Sequence, residues 1–537
     1  MSRPPSPPPS PGLRQSMAGL HRWAGLLAGW LLYAMFLTGT VAYFKDEISL
    51  WMRPELPAAQ GQPDQALAAQ RVAAALGGLA PGAAQWSLRL PDARNPDVDA
   101  FWRGGGAPGD RRFGAARFDA ATGTPIAARE TQGGEFFLRF HFQFHYMPVL
   151  WGRWLAGAAA MLMLVAILSG VITHRKIFVD FFTFRWGKGP RAWLDAHNAL
   201  SVFGLPFHLM ITYTGLVTLM ALYMPWGERA GIRSAAERQE MSTQLSAFLR
   251  PGRPSGEAVP LAPIDAMVRQ AEARWGQGQA GRVTITLPGD AAARVAVSRG
   301  EAGRISMSPQ YLEFSGASGA LLSVRDSVGA AAEARGVLYA LHLGRFSDTA
   351  TRWLYFLVSL AGTAMVGTGL VLWAAKRRAK LAPGLRAPLG LWLVERLNIA
   401  GIAGLSVAMA GFLWANRLLP ASLPGRAVWE VDLFFILWGL ALLHALLRPA
   451  RRAWLEQLWL AAALLALLPL LSAATTDRPL WRSLAQGDWV FAGLELTCLA
   501  LAALHAALAL GLARHRGVAR AAPGRGRGRL APGGQGA

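Results

Sequence analysis

The chain has 537 residues, 53% hydrophobic and 16% charged, with a mean hydropathy of +0.27. That balance excludes a single soluble domain and implies several membrane spans. The net charge of +22 does not point to nucleic acid, because the basic residues gather where apolar runs end, and the lone Cys498 excludes disulfide frameworks and thiolate metal clusters.

Residues 1–16 are Pro/Ser-rich and read as disordered. Residues 17–45 hold the first span. Its apolar run is too long for a signal-peptide core, so it reads as an uncleaved anchor. Residues 46–145 form a polar, turn-rich domain, with a helical pattern over 63–76 and strand-like runs at 86–90, 98–102 and 115–119. A second span (146–176), a basic loop (177–194) and a third span (195–221) follow. Residues 222–341 repeat the polar plan, with a helix over 263–275 and strands near 283–287 and 294–297. Both polar domains carry a turn with five residues from Phe to Gly, Phe118 to Gly123 and Phe314 to Gly319. Residues 342–380 hold the fourth span, 388–513 four more, and 514–537 a basic, disordered tail. The expected fold is an α-helical membrane protein of about eight spans with two small α+β domains outside the cytoplasm.

The orientation follows from Lys and Arg. Arg175, Lys176, Arg185, Lys188 and Arg191 follow the second span, and Lys376, Arg377, Arg378 and Lys380 the fourth. Arg448, Arg451 and Arg452 follow the sixth, and Arg514, Arg516 and Arg520 begin the tail. These alternate ends place both termini in the cytoplasm and both α+β domains outside it.

The chain contains a tandem duplication. His21 to Gly39 and His197 to Gly215 share a His-to-Gly spacing of 18 and both end in Thr-Gly. Arg153-Trp154-Leu155 precedes Ser169-Gly170, and Arg352-Trp353-Leu354 precedes Thr368-Gly369, with 17 residues from Arg to Gly in each. A histidine stands upstream of each Arg: His145 with seven residues between, His342 with nine. The Ser/Thr-Gly pairs allow close approach of helices or of a flat macrocycle.

These motifs resemble the PepSY-associated transmembrane family. The resemblance rests on His21-Arg-Trp-x-Gly-Leu26, the Arg-Trp-Leu…Ser-Gly of the second span, Trp193-Leu-x-x-His197 and the two outer domains, over about residues 17–378. Family members include inner-membrane ferric-siderophore reductases with two b-type haems. The resemblance therefore implies two b-type haems, a ferric siderophore or other ferric chelate as electron acceptor, and a bacterial inner-membrane location. Some relatives carry a fused flavin-reductase part. No Gly-rich nucleotide loop follows residue 380, so a separate donor is implied, either quinol or a cytoplasmic reductase.

Haem b takes two axial imidazoles from facing helices. The candidates are His21, His174 and His197 at the cytoplasmic ends, His145 and His342 on the outer side, and His208 inside the bilayer. His141, one turn before His145, is weaker, and the sequence leaves the pairing open. Each candidate competes with a plainer role as a satisfied interfacial residue. His208 has the most to explain, since a lone imidazole in hydrocarbon is costly. Met35, Met161, Met163, Met210 and Met365 read as packing. Phe136, Phe137, Phe142, Phe144 and Tyr146 are candidates for a docking surface, with interface anchoring as the plainer role. A non-catalytic sensor or scaffold whose outer domains bind peptides or proteases is the alternative, and a transporter is weaker, since the four duplicated spans hold no carboxylate.

Overall fold

The computed structural model describes residues 12–56, 61, 63–104, 113–174, 181, 189–245, 252–382 and 384–514. Most of the Pro/Ser-rich start, of the basic loop after the second span and of the arginine-rich tail lies outside them.

Helix α1 (Leu13–Ala42) leads almost directly into α2 (Lys45–Trp51). The first outer segment continues with α3 (Gln65–Leu79), β1 (Gln85–Arg89), β2 (Val98–Arg103) and β3 (Phe113–Phe118). Then α4 (Glu135–Gln143) returns to the bundle and α5 (Val149–Thr173) crosses it. The third span is broken into α6 (Pro190–Phe203) and α7 (Leu205–Thr218), which meet at 69°. The second outer segment holds α8 (Ile264–Trp275), β4 (Ala280–Thr286), β5 (Arg294–Arg299), β6 (Tyr311–Ser315) and β7 (Leu321–Arg325). Helices α9 (Ala330–Leu343) and α10 (Thr349–Arg378) repeat the plan of α4 and α5. Last come α11 (Leu389–Ile399), joined through a π-turn at Ala400–Gly404 to α12 (Leu405–Leu418), then α13 (Arg426–Leu447), α14 (Ala450–Thr475) and α15 (Trp489–Arg514). Among the described residues seven helices are long and apolar enough to cross a bilayer, and the count is eight if the bent pair is taken as one span.

The bend has a local cause. Pro206 has no N–H to offer the preceding turn, so the ladder breaks there. Gly204 lets the chain pass the His208 ring, which a Cβ would meet at 2.5 Å.

The two outer segments do not form two separate sheets. Their strands make one antiparallel seven-stranded sheet, β3-β2-β1-β4-β5-β6-β7. β1 pairs with β4 in the register Gln85↔Thr286 to Arg89↔Arg282, so each half covers the other's open edge. α3 and α8 lie together on one face. Val72, Leu76 and Val268 pack there against Leu88, Val283, Val295 and Val297. Both duplicated turns close on a left-handed glycine: Gly123 N–H donates to the Asp119 carbonyl (2.8 Å) and Gly319 N–H to that of Ser315 (2.9 Å). The second turn returns as β7. After the first, the chain makes only a bridge at Pro125.

Candidate metal centres between the spans

The histidines converge in two places. His21 of α1 and His197 of α6 face each other with ring centres 6.1 Å apart. His141 of α4 and His342 of α9 do so at the same 6.1 Å. Each pair joins an element of the first half to its counterpart in the second. Along α1, His21 and the Met35 carbonyl that holds His141 are 14 residues apart (35 − 21), which separates the two levels by about 21 Å.

All four imidazoles are fixed by the same device. Nδ1 of His21 lies 2.8 Å from the Ala166 carbonyl, that of His141 2.7 Å from Met35, that of His197 2.8 Å from Met365, and that of His342 3.0 Å from Ile211. A carbonyl only accepts, so Nδ1 carries the proton and Nε2 is left with its lone pair. Each carbonyl stands four residues before the glycine of a Ser/Thr-Gly pair: Gly170, Gly39, Gly369 and Gly215. A Cβ on these glycines would meet the ring at 3.3, 2.7, 3.1 and 2.8 Å respectively. The hydroxyl before each glycine turns back into its own helix. Thr38 donates to Ala34 (2.7 Å), Ser169 to Val165 (2.6 Å), Thr214 to Met210 (2.7 Å) and Thr368 to Ala364 (2.8 Å). The Ser/Thr-Gly pairs thus admit imidazole edges to the helix surface.

The 6.1 Å spacing carries chemical information. A metal–nitrogen bond of about 2.0 Å plus about 1.1 Å from nitrogen to ring centre, counted on both sides, gives about 6 Å for two imidazoles trans on one metal. Ordinary ring contacts in the same bundle fall at this distance too, 6.2 Å for Phe136 with His145 and for Phe140 with Trp438, so the spacing admits a metal without requiring one. Around His141 and His342 lies a cleft with about 1190 Å³ of empty space including its open mouth, walled by Leu32, Phe36, Leu138, Met163 and Tyr223. Its mouth, on the sheet side, carries Lys45, Arg94 and Arg345.

The family model for the PepSY-associated TM region matches residues 18–376. The chain belongs to the PepSY-associated transmembrane family. It is also similar to an uncharacterised protein of Pseudomonas aeruginosa, 28% identical over 311 residues, covering 56% of this chain and 76% of that protein. All four paired histidines of this PepSY-associated protein fall inside the matched region, and α11 to α15 lie beyond it.

The remaining candidates lie elsewhere. His145 is exposed in the loop after α4, stacked on Phe435 at 5.4 Å and 15°, away from any second imidazole. The positive φ of its neighbours, 55° at Phe144 and 54° at Tyr146, turns the chain out of α4 at that point. Burial pushes its imidazole pKa below the ordinary value against the pull of Asp432. His174 ends α5 beside His197's neighbour, with its Nε2 3.0 Å from Asn198 Nδ2. His208 is 1% exposed and lies edge-on to Phe36, its ring near Gly362 and the Val358 backbone without a hydrogen bond of normal geometry.

The partner of His342 is therefore His141, which distance to the Arg-Trp-Leu motif ranked behind His145. The loops that follow the two helices are equal in length, five residues each (144–148 and 344–348), and it is His141, two residues from the end of its helix, that sits where His342 sits, one residue from the end of its own; His145 lies in the loop. The signal within the helix is better: Phe140-His141-Phe142 and Leu341-His342-Leu343 place an apolar-flanked histidine at the end of matching helices. Phe136, Phe137 and Phe144 are buried and cannot form a docking surface, whereas Tyr146 is 65% exposed. The Phe side chains pack α4 on the C-terminal spans: Phe136 stacks on Phe412 at 5.0 Å, and Phe140 meets Phe435 at 5.7 Å. Met35 and Met365 contribute main-chain carbonyls to the histidines.

Proposed function

We propose that this PepSY-associated protein is a di-haem b membrane oxidoreductase of the bacterial inner membrane, passing electrons outward to a ferric chelate such as a ferric siderophore. The observation that supports it is the pair of facing imidazole couples, each at 6.1 Å, each with Nδ1 anchored on a carbonyl. His21 and His197 would hold one haem, His141 and His342 the other. Bound there, iron porphyrin supplies one-electron carriers at two depths.

The chain's own residues perform the rest. Carbonyls 166, 35, 365 and 211 fix the tautomer and raise the basicity of each Nε2. Side chains such as Leu32, Phe36, Leu138 and Met163 make most of the wall of the sheet-side cleft apolar. With haem held at both levels, an electron given by quinol or a cytoplasmic reductase would have a route to the sheet side, where it would reduce the Fe(III) of a docked chelate to Fe(II). Hard oxygen donors hold Fe(II) more weakly, so the chelator lets go.

Absorption spectra test the reading. Purified full-length protein should show the reduced-minus-oxidised bands of low-spin haem b. Each of His21→Ala, His197→Ala, His141→Ala and His342→Ala should remove one low-spin component, and His145→Ala should remove none. A colourless preparation from haem-replete cells would leave the peptide-binding scaffold as the better reading.

A further inference from the structure

The sheet-side cleft is walled mostly by apolar side chains with a few hydroxyls such as Thr40, Thr212 and Ser359, and its lining carries three cations, Lys45, Arg94 and Arg345, each paired with a carboxylate. Arg94 is fully engaged: Nε and Nη2 grip Glu47 at 3.1 and 2.8 Å, and Nη2 also meets the Tyr43 carbonyl at 3.0 Å. Lys45 and Arg345 are held more lightly. Lys45 Nζ lies 2.8 Å from Asp46 and 3.4 Å from Glu135. Arg345 gives Nη1 to Glu301 at 2.9 Å, one hydrogen bond from a group with five N–H donors. Both cations feel the same carboxylates, Asp46 and Glu135, so they stand across one opening. Lys45 starts the first outer segment immediately after α1, and Arg345 follows His342 by three residues.

We infer that Lys45 and Arg345 form a two-point carboxylate clamp that receives the propionates of the tetrapyrrole held between His141 and His342. The inference rests on the haem reading above. Its physical basis is the shape of the cleft. A porphyrin is apolar on three edges and carries two carboxylates on the fourth. Unpaired carboxylates in the apolar interior are strongly disfavoured, so the charged edge must face the cationic mouth. The clamp takes one cation from each half of the duplication and so ties cofactor loading to the seating of both outer segments. Carboxylates of a docked ferric chelate share this chemistry and are the rival source.

The test follows haem release rather than turnover. Ferric full-length protein is mixed with excess apomyoglobin, and loss of the sheet-side component is timed. Losing one charge-assisted hydrogen bond should speed release about tenfold in Arg345→Gln and Lys45→Gln. Arg345→Lys should fall between, and Glu301→Gln, which frees Arg345, should slow release. Wild-type protein made in haem-starved cells and loaded with haem dimethyl ester, which lacks carboxylates, should release it as fast as Arg345→Gln releases haem. The clamp is overturned if the variants release haem at the wild-type rate, or if the dimethyl ester is held as tightly as haem. Normal release combined with weaker ferric citrate binding in both variants would overturn it in favour of the chelate. Wild-type protein that takes up no haem would instead overturn the underlying reading.

Discussion

A neutral imidazole has one N–H to place and one lone pair to offer, and each of the four paired histidines resolves this in the same way. The N–H goes to a carbonyl one turn before a glycine, and the glycine lets the ring lie against the helix. The four glycines are not equally tight. Gly39 and Gly215 leave 2.7 and 2.8 Å to the ring where Gly369 and Gly170 leave 3.1 and 3.3 Å. A methyl at the first two must push the imidazole aside, an overpacking penalty of about 1–3 kcal/mol. Gly39→Ala and Gly215→Ala should therefore perturb the sheet-side spectral component strongly, and Gly170→Ala only slightly, as read by low-temperature electron paramagnetic resonance of the oxidised protein. Equal effects at all four sites would show that the rings do not depend on this clearance. The glycines, His21 and His197 were legible in the sequence because duplication repeated them at fixed spacing, and His342 because it stands upstream of the second Arg-Trp-Leu motif. His141 was harder to rank because its distance to the next motif runs through the loop at Phe144 and Tyr146, where no helical period applies.

At the scale of elements, α4 shows what the C-terminal spans do for the site. One face of α4 meets α1 through His141, and its other face is set among Phe412, Phe434, Phe435 and Trp438. Just before α4, Thr131 donates to Glu430 at 2.5 Å, and the fully buried Glu430 is shared with Arg426 (2.5 Å) and Asn416 (2.8 Å). Arg426 also donates to the Glu130 carbonyl at 2.7 Å. This network fastens the entry of α4 to α12 and α13. Glu430→Ala would leave the Arg426 charge buried without its partner, at a penalty of about 3–5 kcal/mol. Thermal unfolding in detergent should register that loss, and the double variant Arg426→Met/Glu430→Leu should recover much of it. The sheet-side spectral component should shift while the far component stays. If both components shift together, or neither does, the C-terminal spans do not act through α4. Sequence reading counted these spans from length and hydropathy, which report crossing the bilayer but not which neighbour a buried Glu will meet. The bend at Gly204 was hidden for a similar reason: α6 and α7 together pass as one span by length and mean hydropathy although α6 carries Arg191, Asp195 and Asn198, and Gly204 and Pro206 mark the break.

Across the whole molecule, the duplication makes one assembly out of two half-sites. Neither half holds a facing histidine pair by itself, and the halves meet twice: in the bundle, and in the sheet between β1 and β4. Sequence reading found β1 to β5 within a few residues, left β6 and β7 as a turn, and placed the strands in two domains, because the pairing of two edges leaves no trace in either strand's own alternation. The seam can be addressed directly. Leu90 N–H donates to the Gly281 carbonyl (3.0 Å) and Leu287 N–H to that of Ala84 (2.9 Å), which puts Leu88 and Val283 in a hydrogen-bonded pair of the antiparallel ladder. Val283→Pro removes one bond of that pair from a central strand, at about 3 kcal/mol or more. Hydrogen exchange should then show faster exchange along β1 and β4 together, while α1, α5 and α10 keep their protection. The mouth of the sheet-side cleft should loosen as well, because Lys45 enters the first half and Arg345 follows the second, and the joined sheet is what spans the distance between them. If β1 keeps its protection when the Val283 bond is lost, each outer segment is stable alone, and the coupling of the two halves resides in the bundle.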